Sequence, residues 1–250
     1  MNINEYRKTL DGKNIAVIGV GISNVPLIRF LSKANVKLTA FDKRSREEIG
    51  EILNELEALG VSFVLGEDYL DNIPEDTDII FKTPGLRCDV PQLKKAEKSG
   101  AVITSDTELF FELCPAEIIA VTGSDGKTTT TTLIYEMLKK EGYKTFVGGN
   151  IGRPLFEDIE EITEGDKVVL ELSSFQLMTM DSKAINAAVT NITPNHLNWH
   201  PDMAEYTEAK CNIYAHEGIE HVTLNADNEV TAALARQIIA ESDLPITPFS

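Results

Sequence analysis

The sequence predicts an α/β fold built from two consecutive doubly wound, mostly parallel sheets. Short apolar stretches alternate with helix-patterned segments along the chain, and in each half one apolar stretch runs directly into a glycine-containing turn. Such alternation is typical of parallel sheets that carry helices on both faces. Because the alternation restarts at Glu117, we expect one domain over residues 1–106 and a second over residues 107–250.

The first domain is expected to begin with a strand over residues 13–19, followed by a turn and a helix. Ser23 is placed to cap that helix, and Pro26 lies in its first turn, where proline is tolerated. A Glu-rich stretch predicts a further helix over residues 45–59. The remaining predicted elements are strands at residues 37–41, 61–65, 78–82 and 101–103 and helices at 91–98 and 105–113.

The second domain repeats the pattern and ends in a helix over residues 228–241. The final residues, 244–250, are typical of a loop that enters another strand, so we expect a sheet that is unfinished where the chain stops. Its predicted strands are residues 118–122, 144–147, 167–171, 187–191 and 221–225.

The most informative stretch is residues 118–132, IIAVTGSDGKTTTTT, in which an apolar strand enters a glycine turn and then a helix. Glycines let backbone N–H groups close on an anion, and the helix N-terminus favours negative charge. Lys127 would reach the outer phosphates, and the Thr128 hydroxyl would hold Mg²⁺. The match to G-x-x-x-x-G-K-[ST] is incomplete, because Val121 occupies the first glycine position. The alternative is an ordinary strand-to-helix turn, but the order of elements favours nucleoside triphosphate binding.

A second glycine turn, Gly19-x-Gly21, follows the first strand, and Asp42 lies about twenty residues further on. This pattern imitates the dinucleotide fingerprint, although Asn24 stands where the third glycine would be. The turn favours binding of a phosphate-bearing nucleotide over a nicotinamide cofactor. A tight turn that only packs a helix on the sheet is the remaining alternative.

Two polar residues end predicted strands of the second domain. Glu171 ends the strand at 167–171, where a carboxylate is placed to hold the Mg²⁺ of a bound triphosphate, although a solvent-facing acid is the alternative. His196 follows the strand at 187–191 and is either a structural or a functional histidine. The spacing to His200 imitates a zinc pair, but Pro194 and Pro201 argue against the helix that such a pair needs.

Lys210 falls on an apolar helical stripe together with Met203, Tyr206 and Ile213. A lysine in this setting usually extends its ammonium group into water. The alternative is a buried amine with a lowered pKa, which as the neutral form can add CO₂ and become a carbamate. The pattern alone favours the solvent-directed ammonium.

Composition limits the classes of function. The formal net charge of −17 argues against nucleic acid and anionic membranes as partners. Three scattered cysteines, Cys88, Cys114 and Cys211, indicate a reducing compartment without disulfides. No signal peptide or membrane-length apolar run is present in the sequence, so we expect a cytoplasmic protein that acts on small molecules.

Five motifs together resemble the Mur ligases, the amide-forming enzymes of peptidoglycan precursor synthesis. They are T-G-S-D-G-K-T-T, G-G-N-I-G at 148–152, E-L-S-S-F-Q-L at 171–177, N-I-T-P-N-H-L at 191–197 and E-A-K-C-N-I-Y at 208–214. The E-L-S-S-F-Q-L segment is similar to the branch that adds D-glutamate to UDP-N-acetylmuramoyl-L-alanine through an acyl phosphate. The resemblance runs in order along the whole chain.

The resemblance implies a Rossmann-like UDP-binding domain, a central P-loop-type ATPase domain and a C-terminal domain. This chain would supply the first and most of the second, the third being absent. The implied cofactors are ATP and two Mg²⁺ ions, and the protein is expected to be a monomer. The alternatives are another ligase of the superfamily, such as a folylpolyglutamate synthase, a nucleotide-binding module without full activity, and a nicotinamide oxidoreductase.

The resemblance also implies roles for individual residues. Lys127, His196 and a carbamylated Lys210 would be catalytic, and Thr128, Glu171, His196 and Lys210 would bind metal. Asp125, where asparagine is commoner, and Asn195 and Asn198, where acids are commoner, depart from the family pattern. The residues that would bind ATP are Gly123, Ser124, Asp125, Gly126, Lys127, Thr128 and Thr129. The residues that would bind the UDP substrate are Ile22, Ser23, Asp42, Arg44, Thr83, Gly85, Ser105 and Asn150.

Overall fold

The computed structural model describes residues 1–180 and 184–250, which form two compact units. Unit 1 comprises Met1–Leu113 with Pro154–Glu160, and unit 2 comprises Cys114–Arg153 with Glu161–Ser250. In the described residues each unit has its own sheet, and all paired strands are parallel. The predicted α/β class with two consecutive parallel sheets is therefore confirmed.

The sheet of unit 1 has the strand order β3-β2-β1-β4-β5. Its strands are β1 (Asn14–Ile18), β2 (Lys37–Asp42), β3 (Ser62–Leu65), β4 (Ile79–Phe81) and β5 (Val102–Thr104). Its helices are α1 (Ile3–Thr9), α2 (Asn24–Leu31), α3 (Arg46–Ile49), α4 (Ile52–Ala58), α5 (Pro91–Lys98) and α6 (Asp106–Leu113), with 3₁₀ turns at Tyr69–Asn72 and Leu155–Glu157.

The strand order of unit 1 places its two central turns side by side. β1 leads into Gly19 and α2, β4 leads into Thr83, and these two strands are neighbours in the sheet. The chain crosses from β1 to β2 on one side and reaches β4 and β5 on the other, so this is the point at which the strand order reverses. In open parallel sheets such a point opens a crevice beyond the carboxyl ends of the strands.

Two local predictions for unit 1 are wrong. The single helix expected over residues 45–59 is two short helices, because the chain turns at Gly50, whose φ of +82° a residue with a side chain rarely adopts. Ser23 does not cap α2 through its side chain, because its own backbone is already helical. A capping residue needs an extended backbone to direct its oxygen at the next amides, as Ser45 does at α3.

Unit 2 has the strand order β11-β10-β9-β6-β8-β7. Its strands are β6 (Glu117–Thr122), β7 (Thr145–Gly149), β8 (Lys167–Glu171), β9 (Asn186–Val189), β10 (His221–Asn225) and β11 (Ile246–Phe249). Its helices are α7 (Lys127–Glu141), α8 (Ser174–Leu177), α9 (Met203–Cys211) and α10 (Glu229–Glu241). Residues 244–250, which were expected to be a loop leading into another strand, themselves contain the strand β11, which pairs with β10.

The central position of β6 in unit 2 determines what lies at the carboxyl edge of its sheet. β6 pairs with β8 on one side and with β9 on the other. Strand β6 leads at its carboxyl end into the turn that contains Gly123. Strand β8 ends at Glu171, and the chain that follows β9 leads to His196. Three segments that are far apart in the sequence therefore converge at one edge.

Within residues 1–180 and 184–250, every helix is too short or too polar to span a membrane.

Candidate active site

The glycine turn of unit 2 has the geometry of an anion-binding loop. Gly126 precedes the first residue of α7 and has a left-handed backbone with φ of +79°. Gly123 also has a positive φ, and a Cβ atom there would lie inside van der Waals contact of the Thr190 hydroxyl oxygen. Both glycines are therefore required by the path of the loop, which brings the N-terminus of α7 to the carboxyl edge of the sheet.

Residues that follow β9 hold this loop in place. The amide of Ser124 donates to the carbonyl of Asn191 at 2.9 Å, and the amide of Asp125 donates to the side-chain oxygen of Asn191 at 3.0 Å. The Thr190 hydroxyl donates to the carbonyl of Asp125 at 2.6 Å. The loop shape is thus fixed by the neighbouring strand before any ligand binds, which lowers the entropy lost on binding.

Lys127 lies across the loop that precedes it. Its ammonium donates to the carbonyl of Ser124 at 3.0 Å, while the side chain stays partly exposed. Thr128 and Thr129, the next two residues of α7, are exposed as well. A cation and the first amides of a helix therefore face solvent together, and this combination attracts phosphate groups.

Thr128, Glu171 and Asn150 form one hydrogen-bonded cluster. The Thr128 hydroxyl donates to Oε2 of Glu171 at 2.8 Å, and the Asn150 side-chain amide donates to Oε1 at 2.9 Å. Glu171 is only 1% exposed. The predicted phosphate loop and the predicted acid are therefore in direct contact. Asn150, which was expected to contact the UDP substrate, lies beside the same acid in unit 2.

Lys210 on α9 is buried, with 2% of its surface exposed. Its Nζ donates to the carbonyl of Gly123 at 2.7 Å and lies 4.7 Å from the centre of the Tyr206 ring. Burial, followed by the charge of Lys127, lowers the pKa of Lys210 from 10.5 to about 7, against an opposing effect of Glu171. The solvent-directed ammonium that the sequence pattern favoured is therefore wrong, and a buried amine with a lowered pKa takes its place.

His196 has a strained backbone, with φ of +53°, and its side chain is exposed. The ring packs edge-on against Phe175 with the centroids 5.0 Å apart. Partial burial, followed by the charges of Lys210 and Lys127, lowers the pKa of His196. A neutral imidazole near neutral pH is the form that binds a metal ion.

Sequence reasoning missed a supporting residue of this site. Tyr206 is 1% exposed, and its hydroxyl shares a hydrogen bond of 2.9 Å with the hydroxyl of Ser124. The sequence placed Tyr206 one helical turn before Lys210 on the same stripe, which is a signal for packing but not for contact with the loop.

Unit 1 has a cavity of about 380 Å³ at the reversal of its strand order. Five of the residues expected to meet the UDP substrate line it, namely Ile22, Ser23, Asp42, Arg44 and Thr83. Gly85 follows in the same turn as Thr83. Ser105 lies at the start of α6, where its hydroxyl accepts the amide of Glu108 at 3.1 Å.

Asp42 and Arg44 form the charged part of the cavity wall. Two guanidinium nitrogens of Arg44 contact the Asp42 carboxylate at 2.7 and 3.0 Å, and the amide of Val20 donates to it at 2.8 Å. Burial alone would raise the pKa of Asp42, but the hydrogen bonds from Arg44 and Val20 hold it below its ordinary value. Arg44 therefore keeps a fixed orientation while 39% of its side chain stays exposed to a ligand.

The loop, the acid beside it and the crevice of unit 1 define a class of α/β protein with a phosphate-binding centre and a separate nucleotide-sized cavity. Residues 13–105 match the family model of the Mur ligase MurD-like N-terminal domain, and residues 121–247 match that of the Mur ligase middle domain. The chain belongs to the Mur ligase family.

Curated relatives agree with this assignment. The UDP-N-acetylmuramoylalanine--D-glutamate ligase of Clostridium novyi (strain NT) is 54% identical over 94% of this chain and 51% of its own length. The enzyme of the same name from Clostridium botulinum (strain Hall) is 52% identical over 96% of this chain and 52% of its own length. This chain spans about half the length of the curated relatives it matches.

A solved structure supports the fold. The UDP-N-acetylmuramate:L-alanyl-gamma-D-glutamyl-meso-diaminopimelate ligase of Neisseria meningitides superposes with a TM-score of 0.60 and 17% identity, over 95% of this chain and 78% of that chain.

Proposed function

We propose that this chain acts in an ATP-dependent ligase that adds D-glutamate to UDP-N-acetylmuramoyl-L-alanine in the synthesis of peptidoglycan precursors. The observation that carries the proposal is the contact between the phosphate loop and the buried acid, Thr128 to Glu171, beside the buried amine of Lys210. The names of relatives more than 50% identical to the chain support D-glutamate as the added amino acid.

The two nucleotides have separate places in this proposal. Residues 1–106 bind the UDP substrate in the cavity lined by Asp42, Arg44 and Thr83. Residues 107–250 bind ATP at the loop from Gly123 to Thr129. Asn150 interacts with the muramoyl part of the substrate next to Glu171. A monomer in the cytoplasm remains the expected state and location.

The reaction requires two anions, a carboxylate and a triphosphate, to come into contact. The L-alanyl carboxylate attacks the γ-phosphate of ATP, so that ADP leaves and an acyl phosphate forms. The amine of D-glutamate then attacks the acyl carbon, and inorganic phosphate leaves with the C–O bonding pair as the amide forms. Lys127 keeps a positive charge beside the phosphates, and the fixed loop amides align them, which are the main demands of phosphoryl transfer.

The side chains at the carboxyl edge fit a magnesium site. In the described parts of the chain, no group of three or more His, Cys, Asp or Glu side chains is arranged to hold a metal. Mg²⁺ bound together with ATP needs only one or two protein oxygens, because phosphates and water complete its shell. Thr128 and Glu171 would hold one ion, and His196 with a carbamylated Lys210 a second. The ions would neutralise charge on the triphosphate.

A product assay with the full protein tests the proposal. We expect UDP-N-acetylmuramoyl-L-alanine, ATP, Mg²⁺ and D-glutamate together to give one phosphate per new amide, with a product whose mass is higher by one glutamyl residue. Omitting any one component should stop both signals. The control replaces the amino-sugar substrate with a folate, which a folylpolyglutamate synthase would use. Product from the folate alone would overturn the proposal.

A further inference from the structure

His200 is a fully buried histidine, with 0% of its surface exposed, that the reaction scheme above does not use. Both of its ring nitrogens have a polar partner. Nδ1 lies 2.9 Å from Oε1 of Glu205, and Nε2 lies 2.9 Å from the hydroxyl oxygen of Ser174. A buried imidazole with two such partners has one orientation, because rotating the ring would leave polar atoms unpaired.

The partners also determine which nitrogen carries the proton. An ionised Glu205 can only accept, so Nδ1 of His200 must donate to it. In the neutral imidazole Nε2 is then the acceptor, and the Ser174 hydroxyl donates to it. With Glu205 ionised and the imidazole neutral, every bond in the chain Ser174–His200–Glu205 has a defined direction.

Each contact of His200 reaches a segment that carries one of the proposed metal-binding residues. Ser174 begins α8, three residues after Glu171 at the end of β8. Glu205 lies on α9, the helix that carries Lys210. The backbone amide of His200 donates to the carbonyl of His196 at 3.0 Å. One imidazole therefore connects the three segments on which the proposed metal site depends.

The ring of His200 also reaches His196 through an aromatic neighbour. It stacks on Phe175 with an interplanar angle of 13° and ring centroids 5.7 Å apart. Phe175 also packs edge-on against the ring of His196, with the centroids 5.0 Å apart. His196 itself has the strained φ of +53°. A residue in a left-handed conformation keeps it only when its surroundings enforce it, and His200 is the buried anchor of that turn.

We propose that His200 is a positioning residue that holds the turn of His196 against β8 and α9, so that His196, Glu171 and Lys210 face the space proposed for the two ions. The proposal rests on the proposed function, because it assigns the geometry of that metal site to a residue outside it. Partners that orient metal ligands typically contribute 10- to 100-fold to metal affinity.

Manganese binding tests the proposal without relying on turnover. The full protein is saturated with a non-hydrolysable ATP analogue. Binding of Mn²⁺ is then measured as the loss of the EPR signal of the free ion. In the variant His200→Phe, which keeps an aromatic ring but loses both hydrogen bonds, we expect the dissociation constant for Mn²⁺ to rise about 10-fold or more. The affinity for the UDP substrate should stay within about twofold of the wild-type value.

A matched control comes from the same unit. Nε2 of His221 lies 2.8 Å from the Thr247 hydroxyl, an imidazole–hydroxyl contact of the same kind at the pairing of β10 and β11. His221→Phe should leave Mn²⁺ binding unchanged. A purely structural role for His200 would lower the melting temperature and the folded fraction, but the folded molecules would bind Mn²⁺ as the wild type does. That result would overturn the proposal.

A second variant keeps the test decisive if His200→Phe does not fold. Ser174→Ala removes only one of the two bonds, and we expect a smaller rise in the Mn²⁺ dissociation constant in the same direction. Unchanged Mn²⁺ binding by folded Ser174→Ala would then contradict the proposal. A wild-type protein that binds no Mn²⁺ with the ATP analogue would overturn the proposed function itself, which distinguishes the two failures.

Discussion

Two lysines of unit 2 have different surroundings, which suit them to different tasks. Lys127 is partly exposed at the start of α7, where a charged ammonium can meet phosphate. Lys210 is buried and donates to the carbonyl of Gly123, and its pKa of about 7 leaves a substantial neutral fraction at physiological pH. One side chain is thus suited to neutralise charge, and the other to react as a free amine.

The role of Lys127 is tested by Lys127→Ala. We expect ligase activity to fall roughly 1,000-fold, because the triphosphate loses the cation that balances its charge during transfer. Calorimetry should show weaker binding of magnesium-ATP and unchanged binding of the UDP substrate. Lys140→Ala, an exposed lysine of the same helix, is the control and should behave as the wild type. Activity within tenfold of the wild type in Lys127→Ala would contradict the assignment.

The buried amine of Lys210 should be visible in the pH dependence of stability. Its pKa is lowered on folding, so the unfolded chain binds more protons between pH 7 and 10, and this residue makes stability rise with pH in that window. Relative to Lys210→Met, the wild type should gain roughly 3–5 kcal/mol of unfolding free energy from pH 7 to 10. Denaturant unfolding of both proteins at several pH values measures the difference. A constant difference would mean that Lys210 is charged in the folded protein.

The carbamate proposed at Lys210 gives a separate expectation. A small carboxylic acid can occupy the space that a carbamate would leave, so added formate or acetate should restore part of the activity that Lys210→Ala loses. The assay compares activity with and without 100-millimolar-scale carboxylate, about the concentration that weak binding requires. Lys127→Ala is the control, because a carboxylate cannot replace its cation. Full activity of Lys210→Ala without added acid would exclude the carbamate.

At the scale of elements, the sequence was sufficient where periodicity and turn signals agree. Helix α5 has the predicted bounds, and β8 and β10 match to the residue. The Glu-rich stretch predicted one continuous helix, although it contains Gly50, at which the chain turns between α3 and α4. Helix α8 was not predicted, because four residues are too few to show a helical period.

The candidate site could be predicted from the sequence where its residues belong to recognisable motifs. The loop Gly123–Thr129 and the acid Glu171 were found from their positions after apolar strands, since parallel strands bring their carboxyl ends to one edge. The environment of Lys210 was not predictable from its stripe, because burial depends on what covers the helix. Tyr206 and His200 were missed as supports for the same reason: their partners, Ser124 and Ser174, come from distant segments.

The contact between β7 and β8 gives a prediction at this scale. Gly149 pairs with Glu171, and a Cβ atom on Gly149 would clash with the Glu171 carbonyl oxygen. Gly149→Ala should therefore cost roughly 3 kcal/mol of stability, from the clash and the positive φ together, and should displace Glu171. The control is Gly142→Ala, which has a similar φ but no neighbour within 4 Å and should cost only about 1 kcal/mol. Equal losses in thermal unfolding would show that the clash is relieved without moving β8.

At the scale of the whole molecule, each unit places a cation at its proposed nucleotide site within a strongly acidic chain. The net charge is −17, yet Arg44 lies in the cavity of unit 1 and Lys127 lies at the loop of unit 2. Local cations of this kind are needed because the overall charge repels polyanionic ligands at long range. The two units can therefore be tested for separate ligands by removing one cation at a time.

Thermal unfolding with each ligand provides that test. At a hundredfold excess over its dissociation constant, a ligand adds about 2.7 kcal/mol of stability, which raises the melting temperature by roughly 5–10 °C. We expect both magnesium-ATP and UDP-N-acetylmuramoyl-L-alanine to produce such a shift in the full protein, and NAD to produce none. Lys127→Ala should lose only the ATP shift, and Arg44→Ala only the UDP-substrate shift, because each ligand depends on the cation of its own unit. If Arg44→Ala lost both shifts, or if NAD stabilised the wild type, the division of the two nucleotides between the units would be wrong.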